Sequence, residues 1–208
     1  MISRRLRTQL LLVAAASVAV ACALPYTCAL QQAVISERQR TFVAKKSRSI
    51  APAENDFDRN VTLRALMAPG NDRLRWVDSR AASVEGYVVA VRSGGIELAN
   101  CFSMLRRDTH IEVAARPDAP ARQRMTVEVT PVFRDRARAA GQDWTTRGLL
   151  NLVGQRVRFE GWLMFDIEHD EESENTSPGR PVNWRATAWE LHPVTAIHVL
   201  TNAVDKGQ

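Results

Sequence analysis

Cysteine is scarce in this chain. Of three in 208 residues, Cys22 and Cys28 fall within one uncharged stretch near the start, which leaves Cys101 for everything after it. That excludes a disulfide framework within the domain and any paired-cysteine metal site, and it reads Cys101 as a lone buried thiol. The sequence also lacks a helical His-Glu-x-x-His element and an internal repeat, and it has no low-complexity tract beyond one acidic loop. A one-signed domain charge is missing too. The chain is basic, with a pI near 9.6, yet Arg4, Arg5, Arg7, Arg38, Arg40, Lys45, Lys46 and Arg48 face only Glu37 in residues 1–48. The other 20 basic and 22 acidic groups leave the remainder nearly neutral. Such a domain has no broad phosphate-neutralising surface, which argues against broad nucleic-acid binding. With 45% apolar and 25% charged residues, the composition is that of a folded protein.

What is present begins with a leader. Three arginines precede an uncharged run from Leu10 to Leu30, long enough to cross a bilayer as a helix. Residues 1–30 read as a signal peptide, with Ala21-Cys22-Ala23 as a small-residue cleavage pattern, or as a membrane anchor. The anchor is favoured, giving membrane contact through residues 10–30 and a single N-terminal span. The positive charge from Arg38 to Arg48 balances the leader arginines, so an extracytoplasmic (periplasmic) domain is the preferred orientation rather than a derived one. Residues 31–80 are expected as a polar stalk and lead-in, with a short helical turn at Leu63, Leu66 and Met67.

From Ser83 the pattern alternates. Strands are expected at Ser83–Val91, Thr109–Ala114, Met125–Thr130 and Arg156–Phe165, with a fifth running from Arg185 through Val199. Between the third and fourth, Asp135–Ala140 could be helical, and Thr145 or Thr146 can cap a short helix that ends by Gly154. The expectation is a mostly β chain in which residues 81–203 form a small five-stranded OB-like barrel. One short helix lies between strands 3 and 4, and an N-terminal hydrophobic helix precedes the barrel.

Residues two apart on a strand share a face. Asp108, His110 and Glu112 therefore share one face of the second strand, Glu128 sits between Thr126 and Thr130 on the third, and Glu190 pairs with His192 on the fifth, while Asp166 and His169 close the fourth. His110, Glu128 and His192 are expected to converge. His110, Glu128, Asp166, His169, Glu190 and His192 form a candidate polar or metal cluster whose donors suit zinc or manganese, or a general acid and base. Solvated strand faces must also be polar, so alternation alone accounts for many of these positions. Trp184, Arg185 and Trp189 are the candidate ligand platform, with core packing as the alternative for each ring. The acids between Asp166 and Glu174 do not match EF-hand spacing.

Several motifs occur together: Gly86-Tyr87-Val88-Val89, Arg107–Glu112, Val127–Pro131, Gly161-Trp162-Leu163-Met164-Phe165-Asp166 and Asn183–Thr195. Over about residues 84–200 the chain resembles a group of uncharacterised bacterial envelope proteins. These end in Asn-Trp-Arg-Ala-Thr-x-Trp-Glu-(Ile/Leu)-His-Pro-(Val/Ile)-Thr. The resemblance implies an OB-like domain and no activity. Asn100-Cys101 is followed here by Phe102, where relatives often carry a second cysteine or a polar residue. A likeness to thermonucleases through Asp108-Thr109 is one of fold alone. Two functions stay open, and with them whether the protein is an enzyme. One is an envelope-anchored binding module of unknown ligand. The other is a metal-dependent hydrolase, of phosphoesterase or nuclease type, using the His/Glu/Asp cluster.

Overall fold

The computed structural model describes residues 35–200. Five strands form a closed barrel in the order β1-β2-β3-β5-β4, where β1 is Ala81–Ser93, β2 Thr109–Ala114, β3 Met125–Val129, β4 Arg156–Phe165 and β5 Trp189–Val199. All neighbours run antiparallel except β3 and β5, which pair in parallel at Val127 and Leu191. Strand β1 is long enough to serve two partners. Its first half pairs with β4 and its second with β2, and a register shift between Val88 and Ala90 bends it between them. A bulge of this kind adds the local twist that closure needs.

Inward-facing Val84, Ile111, Val113, Val127, Val129, Val157, Phe159, Leu163 and Leu191 fill the barrel. Gly161 is required where β4 meets β5, because a Cβ there would lie 2.4 Å from the Pro193 carbonyl oxygen.

The connection from β3 to β4 holds the expected short helix and, ahead of it, a second one over the charged stretch. Helix α3 (Pro131–Ala139) starts on a proline at its first turn, where the missing N–H costs nothing. Helix α4 (Thr146–Leu149) is capped by Thr145, whose hydroxyl accepts from Gly148 N at 3.0 Å.

The segment expected as a polar stalk and lead-in folds onto the barrel from residue 36 onward. Helix α1 (Glu37–Lys46) opens on a capping box between Ser36 and Gln39 and buries Phe42, Val43 and Lys46. Helix α2 (Leu63–Leu66) sends Leu63 and Leu66 into the core beside Val61. Asp72 is fully buried and accepts from Ala188 N at 3.0 Å, which ties the lead-in to the start of β5. The fifth strand begins at Trp189, four residues later than expected. Residues 183–188 spend their backbone bonds on other partners, among them Arg185 O to Glu174 N and Ala186 N to Arg124 O. Cys101 is half-buried and disulfide-bonded, not the lone thiol expected.

Among the described residues, no helix is long and apolar enough to cross a membrane. The Leu10–Leu30 run lies outside them.

Candidate functional site

Strands β2, β3 and β5 lie side by side, so the residues pointing away from the barrel interior form one surface. His110 stands opposite Glu128 in the β2–β3 ladder, and the parallel Val127–Leu191 pair brings Glu190 and His192 alongside. Glu128 sits between two imidazoles, with Oε1 3.0 Å from His110 Nε2 and Oε2 3.1 Å from His192 Nδ1. His192 also faces Asp108 and Glu190, each at 3.4 Å. Arg185 links Glu190, at 3.4 Å, to Asp166, at 2.7 Å, and Asp166 in turn holds His169 Nδ1 at 2.9 Å. All six residues of the sequence-derived cluster therefore belong to one connected network.

The network is not the solvated strand face that alternation suggests. Glu128, Glu190, Arg185 and His192 are each at most 3% exposed. Three segments cover them: α1 through Lys46, the β1–β2 connection through Glu97 and Asn100, and the β4–β5 connection through Asp166, Trp184 and Arg185. Lys46 pairs with Glu97, and Asn100 Nδ2 donates to Asp108 Oδ1 at 2.9 Å.

Burial of this kind moves protons. It disfavours a charged His192, but the Glu128 charge and the Glu128 and Glu190 carboxylates as acceptors beside the ring outweigh that and push the imidazole up to about 10. Burial also raises Glu190, helped by Glu128 and Asp166, to about 6. Glu128 and Asp166 go the other way. Desolvation opposes their ionisation, yet His110, His192 and Lys46 hold Glu128 well below the usual carboxylate range, and His169 and Arg185 do the same for Asp166.

Beside this network a cleft of about 290 Å³ opens to solvent. His110 and Glu128 line it from the strands, Gly94 and Gly95 from the β1–β2 connection, and Asp166, His169, Trp184 and Arg185 from the β4–β5 connection. Gly94 is needed for this shape, since a Cβ there would lie 2.7 Å from His110 Nε2. Two guanidinium groups lie over the Trp184 ring, Arg185 at 4.9 Å and Arg92 at 5.3 Å from its centre, and its Nε1 donates to Glu172.

Of the expected ligand platform, Trp184 and Arg185 reach the cleft. Trp189 does not line it; it packs in the core, edge-on to Phe165, with Nε1 donating to Asp72 O at 2.9 Å. Part of the acidic loop is committed elsewhere. Asp170 pairs with Arg73, and Glu174 accepts from Asn183 and Gly179.

Sequence reasoning missed Lys46, Arg92 and Glu97. The Ser36-x-x-Gln39 capping box announces the helix carrying Lys46, but no pattern announces that it packs against the strands. No family model matches this chain, and no curated protein matches it.

Proposed function

We propose that this protein is an envelope-anchored OB-like binding module whose ligand site is the cleft over β2 and β3. The strand order 1-2-3-5-4, the parallel β3–β5 pair and the helices between β3 and β4 support the OB-like reading. The carrying observation is the cleft's position. OB barrels take ligands on the face of strands 2 and 3, between the β1–β2 and β4–β5 connections, and the same elements bound this cleft. Arg92 and Arg185, gathered over the Trp184 ring, bring positive charge to the cleft, which suits a small anionic ligand. The anchor rests on the uncharged run in residues 10–30.

The test is a thermal-shift panel of nucleotides, sugar phosphates and oligosaccharides. A ligand in the cleft raises the melting temperature, and Trp184→Ala removes the rise. Binding that ignores Trp184 and His110 would refute the site.

A second reading, a metal-dependent hydrolase acting on a phosphoester, draws on one observation. His110, Glu128, Asp166 and His169 all line the same cleft, with His192 directly behind Glu128.

A further inference from the structure

We propose that Glu97, His110 and Glu128 form a binding site for a divalent first-row cation, zinc in the first instance, at the floor of this cleft. The inference rests on the cleft being the ligand site and names the group held there.

One ligand atom from each of the three residues lies within 4.8 Å of the other two. A single ion can bridge atoms that close. One of these atoms is poorly served by the protein: His110 Nε2 is 3.0 Å from Glu128 Oε1 but lies off the line of a hydrogen bond. Of the carboxylate oxygens, Glu97 Oε2 is held by Lys46, and Glu128 Oε2 lies 3.1 Å from His192 Nδ1. Glu128 is only 3% exposed. A buried polar atom without a directed partner is costly, so a group that satisfies it stabilises the site.

A second triad, Asp108, Glu128 and His192, has the same compactness. It is closed off: all three residues are buried, and His192 is already surrounded by Asp108, Glu128 and Glu190. That triad is better read as a charge cluster that orients Glu128 from behind. The Glu97 triad borders the opening instead, with His110 and Glu128 lining the cleft. Imidazole nitrogen and carboxylate oxygen are both zinc ligands, and three protein ligands leave the fourth position of a tetrahedral ion for water or substrate on the solvent side.

Lys46 is the competitor. Its ammonium holds Glu97 and is drawn further by Glu128 and Glu190. A divalent ion displaces it from Glu97, so the Lys46 charge opposes metal binding.

The test is equilibrium dialysis of the purified full-length chain, in detergent, against zinc chloride, with bound metal read by elemental analysis. The proposal expects one zinc per chain. His110→Ala and Glu128→Gln should each lose about 100-fold in affinity. Lys46→Gln should gain about tenfold, because a repelling charge is removed. A misfolded variant does not produce that gain. Should His110→Ala fail to fold, the His110 imidazole nitrogen resonances of the wild-type protein, shifting on zinc addition, report the same contact. Wild-type protein that stays zinc-free at micromolar free zinc would overturn the proposal, and so would full zinc retention by folded His110→Ala. A zinc-loaded protein that binds nothing from the ligand panel counts against the binding-module reading alone. A zinc-free protein with a ligand in the cleft counts against this inference alone.

Discussion

Ile111, Val127 and Leu191 point into the barrel; their chain neighbours His110, Glu128 and His192 point out from the same three strands. Ile111, Val127, Leu191 and His192 are fully buried, Glu128 nearly so, and His110 is half-buried. The two layers do different work. The interior excludes water around hydrocarbon, at roughly 25 cal/mol per Å² of apolar surface. The outer layer takes carboxylates, imidazoles, an ammonium and a guanidinium out of water and repays that cost only by pairing them. Buried ion pairs are often no better for stability than apolar residues of similar volume. A layer that fold stability does not demand, placed beside an open cleft, is what a binding site looks like.

The largest expected effects come from attacking each layer in its own way. Phe159→Ala empties a fully buried ring position and should cost about 3–5 kcal/mol in urea unfolding, with no effect that depends on pH. Glu128→Ala should cost a similar amount, about 3–5 kcal/mol, for the opposite reason: it leaves His110, His192 and Lys46 without their shared counter-charge. A double-mutant cycle between Glu128 and His192 sharpens the contrast. It should give a coupling of about 1–3 kcal/mol, whereas Phe159 paired with either residue should be additive.

Next in size is pH dependence. His192 has its folded value raised from 6.5 to about 10, so its contribution is complete below 6.5 and is lost as pH rises toward 10. Glu128 and Asp166 are depressed, so their contributions are complete above the ordinary carboxylate values and are lost as pH falls. Glu190 runs against them, since its raised value favours the folded state in acid and that benefit goes as pH rises through about 6. Melting temperature measured from pH 6.5 to 10 should therefore fall in the wild type and fall less in His192→Gln, where His110 and His169, also raised, still contribute. A flat wild-type profile would mean the outer layer is not charged as described.

The smallest expected effect on stability is at Gly94. An added methyl presses on the far end of the His110 side chain, which can turn aside, so Gly94→Ala should change stability by less than about 1 kcal/mol. It should still weaken binding in the cleft, because His110 leaves its position. Loss of stability with binding intact would reverse the assignment of the two layers.

The interior layer was the more legible one in the sequence. Alternation of period two marks β2 and β4 to their end residues, and Thr145 marks the start of α4, because those signals are local. The convergence of His110, Glu128 and His192 also follows from strand geometry. Their burial does not. Alternation separates the two faces of a strand but cannot tell a wet polar face from a covered one, and Lys46, Glu97 and Arg185 arrive from segments far along the chain. Asn183–Ala188 continues the alternation in sequence yet leaves the sheet, because Asp72, Arg124 and Glu174 engage its surroundings through tertiary bonds. Trp189 stays out of the cleft for a related reason: its indole N–H finds the Asp72 carbonyl, 117 residues away.

The central claim is that the outer polar layer holds a divalent cation at the floor of the cleft, and anomalous diffraction at the zinc edge from crystals grown with zinc chloride tests it most directly. The account predicts one peak at the cleft floor, about 2.0–2.2 Å from His110 Nε2 and from a carboxylate oxygen of Glu128, with Lys46 withdrawn from Glu97. A peak elsewhere, or no peak with Lys46 still paired to Glu97, would contradict it.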